Sequence, residues 1–227
     1  MRIKHLHRWD VTHREAMNIQ QELKKKLIPG DEDAPKPVRT VAGADISYAK
    51  GDGLFFSAVV LLALPTLDII EESYATEKNH FPYIPGLLTF REGPALLKVF
   101  EKLSCTPDVV IFDGQGIAHP RGIGLASHIG LFLDIPTIGC AKTRLIGTHG
   151  VVGDRVGDCA PLMHNDQVIG AVLRTKKRVK PVFVSQGHRV SLQKAVEVVL
   201  SCCTGYRLPA PIRYAHLAVN RFRLKNT

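Results

Sequence analysis

Residues 40–76 read TVAGADISYAKGDGLFFSAVVLLALPTLDIIEESYAT. Three runs in this stretch have strand character: Thr40–Tyr48, Leu54–Leu64 and Leu67–Thr76. Gly51-Asp52-Gly53 separates the first two, and Pro65 lies between the second and third. Connections this short join antiparallel neighbours, so the stretch predicts two successive hairpins. Downstream the pattern changes. After a loop at 77–91, Pro94 opens a helix to about Leu103. Asp108–Asp113 (DVVIFD) is an apolar strand ending in an acid. A glycine-rich stretch then leads into a helix at about 122–133, and Thr137–Ala141 is another short strand. Residues 151–185 read as β-rich with turns at Gly153-Asp154 and Asn165-Asp166, and helices follow at 190–203 and 211–224.

Upstream, Thr12-His13-Arg14-Glu15 fits a capping box. Ala16, Ile19, Leu23 and Leu27 then recur at helical spacing until Pro29 and Gly30 stop the helix. Residues 29–37 (PGDEDAPKP) read as an acidic, proline-containing connection. Antiparallel strands followed by alternating helix and strand imply an α/β fold, a central mixed β-sheet flanked by helices. The ribonuclease-H-like arrangement fits that order. The length of 227 residues is compatible with one large domain or a tightly joined pair, and a single domain over 1–227 is the expectation.

Hydrophobic residues make up 45% of the chain, which excludes a disordered polymer. Thirty basic residues against 21 acidic ones give +9, which favours a polyanionic partner such as nucleic acid. The opening MRIKHLHRWD is basic without an apolar core, so no secretory signal is expected. The longest apolar run, Leu54 to Leu64, is far shorter than the roughly 20 residues of a membrane span. Cys105, Cys140, Cys159, Cys202 and Cys203 include no CxxC pair. All five are expected to be buried, reduced thiols of a cytoplasmic protein.

Three carboxylates stand at informative places. Asp45 interrupts a strand, against strand propensity. Asp113 ends DVVIFD and is followed by Gly114 and Gly116. Glu92 sits just before the helix expected from Pro94. Ligands of α/β sheets gather at the carboxyl ends of strands. If the strands of Asp45 and Asp113 are neighbours, the acids converge, and their mutual repulsion calls for a proton or a cation. All-oxygen ligation suits Mg²⁺ or Mn²⁺, ions that support phosphodiester hydrolysis. Any one of these acids alone reads more readily as a turn residue or a helix-dipole partner, and it is the joint pattern of three that points to a site.

Other features have weaker signals. Residues 113–128 (DGQGIAHPRGIGLASH) hold glycines that allow close backbone approach, with His119 and Arg121 among them. They lack the GK[ST] of a phosphate-binding Walker loop. In Pro82-Tyr83-Ile84-Pro85-Gly86-Leu87-Leu88, two prolines stiffen an apolar loop around one aromatic, as in side chains that wedge between bases. Packing of that ring onto the core is the bland alternative. Lys142 follows the strand TIGCA, where a cation would orient a phosphate or a water. His216 on the last helix is a candidate metal ligand. Arg174, Lys176, Lys177, Arg178 and Lys180 form one basic cluster, and Arg207, Arg213, Arg221, Arg223 and Lys225 another.

With these motifs in view, the chain resembles endonuclease V, a family of deoxyinosine-directed repair nucleases. The matching stretches are GADISY (43–48), PYIPGLLTFREGP (82–94), DGQGIAHPRGIGLASHIG (113–130) and IGCAKTRLIG (138–147). LRTK (173–176), KPVFVSQGH (180–188) and RYAH (213–216) extend the match. The resemblance implies a ribonuclease-H-like fold and an endonuclease dependent on Mg²⁺ or Mn²⁺. It implies hydrolysis of the second phosphodiester bond 3′ to the lesion, leaving 3′-hydroxyl and 5′-phosphate ends. By position, Asp45 and Asp113 would ligate metal, with Glu92 and His216 completing a catalytic site in which Lys142 positions phosphate or water. Tyr83 would be the wedge, within Pro82, Ile84 and Pro85. The base pocket would be largely backbone, at Gly86, Leu88, Gly114 and Gly116, with His119 and Arg121 beside it. A monomer acting on deoxyinosine DNA is the expectation. A related metal nuclease acting on inosine RNA or on branched or mismatched DNA is the alternative, and a basic binding protein without turnover is a further one.

Overall fold

The computed structural model describes residues 1–30, 37–48 and 53–227. Gly51 and Asp52 of the first expected turn, and residues 31–36 of the acidic connection, lie outside the described residues. Among the described residues eight strands form one mixed sheet: β1 (Thr40–Tyr48), β2 (Leu54–Ala63), β3 (Ile69–Lys78), β4 (Val109–Phe112), β5 (Thr137–Ala141), β6 (Cys159–His164), β7 (Gln167–Leu173) and β8 (Val182–His188). Their spatial order is β3-β2-β1-β4-β5-β8-β7-β6. β1–β4 and β4–β5 pair in parallel, and the other neighbours are antiparallel. The helices are α1 (His13–Lys24), α2 (Leu88–Glu101), α3 (Leu125–Leu133), α4 (Leu192–Ser201) and α5 (Ala210–Leu224). The expected ribonuclease-H-like layering is therefore present. Among the described residues no helix is long and apolar enough to cross a membrane.

The apolar run of β2, interrupted only by Ser57, is explained by burial on both faces. Phe56, Ala58, Val60 and Leu62 share one core with Ile212, Ala215 and Val219 of α5, which packs on β2. Val59 and Leu61 share the core of the other face with Leu96 and Phe100 of α2, which packs on β2 there. Side chains alternate across a strand, so two layers of helix demand two apolar sets. The tight β6–β7 connection is the expected Asn165-Asp166, both at positive φ (48° and 59°), a conformation these residues tolerate well.

Several boundaries differ from expectation, each for a physical reason. Pro94 does not open α2: the helix starts at Leu88, and Pro94 lies inside it. A mid-helix proline deprives the carbonyl four residues earlier of its donor. Here Asn79 Nδ2 replaces the lost bond, donating to the carbonyls of Phe90 and Arg91, each at 2.8 Å. Glu92 is consequently a helix residue rather than one that precedes a helix. The third strand starts at Ile69, because Leu67 sits at φ 63° and its N–H donates to the carbonyl of Ala63 at 2.7 Å, closing a turn. α1 ends at Lys24, before Leu27, although the capping box at Thr12 and Glu15 forms as expected. Cys105 and Cys159 are exposed and Cys203 is half-buried, contrary to the expectation that all five thiols are buried, because each lies outside the two helix–sheet cores. All five cysteines are free.

Candidate active site

Strand register brings the acids together. Ala44 of β1 is the parallel partner of Phe112 of β4. The next residue on each chain is Asp45 and Asp113, so both carboxylates reach the same sheet edge. β4 pairs with β5 up to Phe112 and Gly139, and Lys142 emerges just beyond β5. Its ammonium pairs with the Asp113 carboxylate. α5 packs across β1 and β2, and His216 Nδ1 lies 2.7 Å from Asp45 Oδ2. Asn220, one turn on, donates from Nδ2 to His216 Nε2 at 3.2 Å. That bond places the proton of a neutral imidazole on Nδ1, donated to Asp45.

Glu92 approaches the same edge from α2. It keeps some contact with solvent, yet burial of its carboxyl, then the charge of Asp45 and, less, that of Asp113, push its pKa up to about 8. The neighbouring Arg91 guanidinium acts in the opposite sense. Burial also raises the pKa of Asp45, partly offset by the His216 hydrogen bond. Among the described residues no three acid, histidine or cysteine side chains are set around one point at ligand spacing. Asp45 is turned onto His216 and Asp113 onto Lys142. The donor set nonetheless fits a hard divalent cation. Three carboxylates repel one another at one edge, and oxygen ligands are what Mg²⁺ and Mn²⁺ take.

The expected wedge loop connects β3 to α2. Tyr83 is 68% exposed, so the ring is free of the core, and Pro82 and Pro85 are exposed beside it. The half-buried Ile84 packs against Phe81, Leu87 and Phe90. The loop is pinned at Gly86, whose φ of 79° suits glycine. Its carbonyl accepts from Arg121 Nη2 at 2.6 Å and Gln20 Nε2 at 3.0 Å, and lies 3.1 Å from His119 Nε2. Arg121 Nε also donates to Gln20 Oε1. Burial, then the Arg121 charge, lower the pKa of His119 to about 4, so it is neutral at physiological pH.

The expected pocket residues divide. Leu88 begins α2 and Gly114 follows β4, and both are half-buried at the acid edge. Gly116 is buried, and its N–H donates to Ser185 Oγ at 2.8 Å. A Cβ there would meet the Gln186 carbonyl at 2.2 Å, so packing already requires this glycine. Gln20, Arg91 and Asn220 had not been singled out from sequence. Gln20 had a signal: it is polar on the buried face of α1, between Ala16 and Leu23. Arg91 and Asn220 had none, since a charge and an amide are ordinary on helices. A cavity of about 550 Å³, lined by Pro107, Ile135, Arg189 and Lys194, lies at the opposite edge, where β4 and β5 begin, away from the acids.

Comparison with known proteins follows the same geometry. Residues 21–217 match the family model for Endonuclease V. The Endonuclease V of Dehalococcoides mccartyi is 47% identical over 218 residues, covering 96% of this chain and 97% of that one. The crystal structure of Endonuclease V from Streptomyces avermitilis superposes with a TM-score of 0.90 at 39% identity, covering 96% of each chain. That of a Ciona intestinalis Endonuclease V, in complex with a 23mer DNA containing an inosine followed by a ribo-adenosine, superposes with a TM-score of 0.84 at 29% identity, covering 96% of this chain and 100% of that one. With nearly its whole length in common with these proteins, the chain belongs to the Endonuclease V family and is an endonuclease.

Proposed function

We propose that residues 1–227 act as one catalytic domain that nicks DNA at the second phosphodiester bond 3′ to deoxyinosine. The observation that carries this reading is the convergence of Asp45, Asp113 and Glu92 at one sheet edge, with the exposed Tyr83 loop beside it. Asp45 and Asp113 would hold a divalent cation, Mg²⁺ or Mn²⁺, with Glu92 and His216 completing its surroundings. Such an ion supplies Lewis acidity and offsets the charge of the phosphodiester.

The chain's own groups do the rest. Asn220 orients His216, and His216 in turn fixes the Asp45 carboxylate. Lys142, now on Asp113, is placed to exchange that partner for a phosphate oxygen. Tyr83 fills the gap left when hypoxanthine turns out of the stack, a step that costs less for a mispaired base. The Gly86 carbonyl, held by Gln20 and Arg121, keeps the loop beneath it in place. Leu88 and Gly114, at the same edge, would offer backbone to the base.

The test is a labelled strand with one deoxyinosine, incubated with Mg²⁺ or with EDTA, beside an adenine control and an inosine RNA. A Mg²⁺-dependent nick one nucleotide beyond the lesion on DNA supports the reading, and nicking of the adenine strand at the same rate overturns it. Inosine RNA is the second reading. The Ciona protein's bound DNA carries a ribo-adenosine after its inosine, which keeps a ribose at the cut in play.

A further inference from the structure

We propose that Tyr206, Lys176 and Arg213 form a stacking and phosphate-binding surface for the strand 3′ of the cut; the direction rests on the deoxyinosine reading above. The two basic clusters are far apart in sequence, and the fold joins them. β8 runs antiparallel to both β5 and β7, with Ala141 opposite Phe183 and Leu173 opposite Val182. The basic connection 174–181 therefore leaves the sheet at the same edge as Lys142. Thr175 Oγ1 donates to the Arg207 carbonyl at 2.6 Å, tying that connection to the segment before α5. Arg207 Nη2 donates to the carbonyls of Lys142 and Pro181. The patch is thus built onto the end of β5, next to the acids.

Its centre is an aromatic ring. Tyr206 is 52% exposed. The Arg213 guanidinium lies 3.4 Å from its centroid and the Lys176 ammonium 5.8 Å. Arg213 is one turn before His216 on α5. Among the described residues no carboxylate is within ion-pair distance of Lys176, Lys177, Arg178, Lys180, Arg207 or Arg213. Two cations against an exposed ring, with further cations without an acid partner on the same connections, match the combination that holds single strands: phosphates on cations, a base on the π-face.

The topology supplies the polarity. The wedge loop leads into α2, on one face of the sheet, and Tyr206 and Arg213 belong to the α5 side, on the other. The acids lie at the edge between them. A strand with its lesion at Tyr83 and its second 3′ phosphate at Asp45 and Asp113 next meets Tyr206.

The experiment compares the wild-type protein with Tyr206→Ala, Tyr206→Phe and Lys176→Glu. Each is given deoxyinosine strands of one 5′ flank and a 3′ flank of about 3 or about 12 nucleotides, the first shorter than a single-strand site of about 4–16 and the second within that range. Extending the 3′ flank is expected to tighten wild-type binding about tenfold. Tyr206→Ala and Lys176→Glu should lose most of that gain while nicking the short strand like wild type, and Tyr206→Phe should keep it. For Lys176→Glu the salt slope on the long strand should also fall by about 0.7 or more. Lys176 is on an exposed connection, so this variant remains informative if Tyr206→Ala melts early. Variants that gain from the 3′ extension as wild type does overturn the proposal and leave the deoxyinosine reading standing. So does a loss seen instead on extending the 5′ flank. A wild-type protein that nicks no deoxyinosine strand in Mg²⁺ overturns that reading itself, and the 3′ direction with it.

Discussion

The acid edge and the wedge loop are neighbours built by opposite means. Asp45 and Asp113 are placed by backbone ladders, β1 against β4 and β4 against β5, so many bonds share each position. The Tyr83 loop has no ladder. It is held at the Gly86 carbonyl by side chains from α1 and from the connection after β4, remote in sequence from the loop and from each other. Substitutions at the acid edge should therefore change chemistry and leave position intact, while those around the loop should change position and leave chemistry intact.

The largest expected effect is at the edge. Asp45→Ala removes a carboxylate without disturbing the β1 register, so nicking should fall by at least about 10²–10³-fold. Binding of lesion DNA, measured by a shift assay in EDTA, should stay within a few-fold of wild type. Comparable loss of binding would mean that Asp45 positions the strand as well as the metal, and the division between the two regions would fail.

Next is the pH dependence of stability without metal. The pKa of Glu92 in the fold, about 8, is above the ordinary glutamate value of 4.5. Between these values the unfolded chain has released a proton that the folded chain keeps, so stability falls as pH rises through this window and levels off above it. One pKa unit is worth about 1.4 kcal/mol, and solvent contact at Glu92 trims the effect to about 1–3 kcal/mol. Thermal melts in EDTA from pH 5 to 9 should show this decline for wild type relative to Glu92→Gln. Parallel curves for the two proteins would place the Glu92 carboxyl in a wetter setting. His119, with its pKa lowered to about 4, acts in the opposite sense below pH 6.5, so the comparison with Glu92→Gln is the informative one.

Tyr83→Ala moves to the loop. Loss of a base–aromatic stack should weaken lesion binding by about 1–3 kcal/mol. The ring is 68% exposed, so melting should move by no more than about 0.5 kcal/mol. A large drop in stability with binding unchanged would return Tyr83 to a packing role.

The same contrast explains what was legible in the sequence. Positions that depend on local pattern were read closely: β1 and β5 match residue for residue, and the Thr12 capping box forms. The start of α2 was misread because Pro94 normally marks a helix opening, and its compensation by Asn79 comes from outside the helix. The expectation for Asp45 and Asp113 needed only that two strands be adjacent. Gln20 and Asn220 act through partners 66 and 171–173 residues away, directly or through His216, and single-sequence spacing cannot reveal such pairings. The N-terminal arm was also missed. Trp9 stacks on His128 and Phe132, and Gly93 of α2 leaves room for its ring.

Gln20→Ala is the smallest of these effects and the sharpest test of how the loop is held. Gln20 is 1% exposed and bonds Gly86 and Arg121 at once. Alanine leaves Arg121 Nε without that acceptor and the Gly86 carbonyl with one donor fewer. Arg121 Nη2 still reaches Gly86, so the cost to stability should be about 1–2 kcal/mol, that of two net hydrogen bonds. The loop then samples more positions, and KM for deoxyinosine DNA should rise several-fold with kcat unchanged. Adding Tyr83→Ala should produce less than the sum of the two losses, because both act through one loop. If the two losses add in full, Gln20 supports the fold of α1 rather than the placement of Tyr83. A fall in kcat instead would mean that the loop and the acids move as one unit, contrary to their separate means of support.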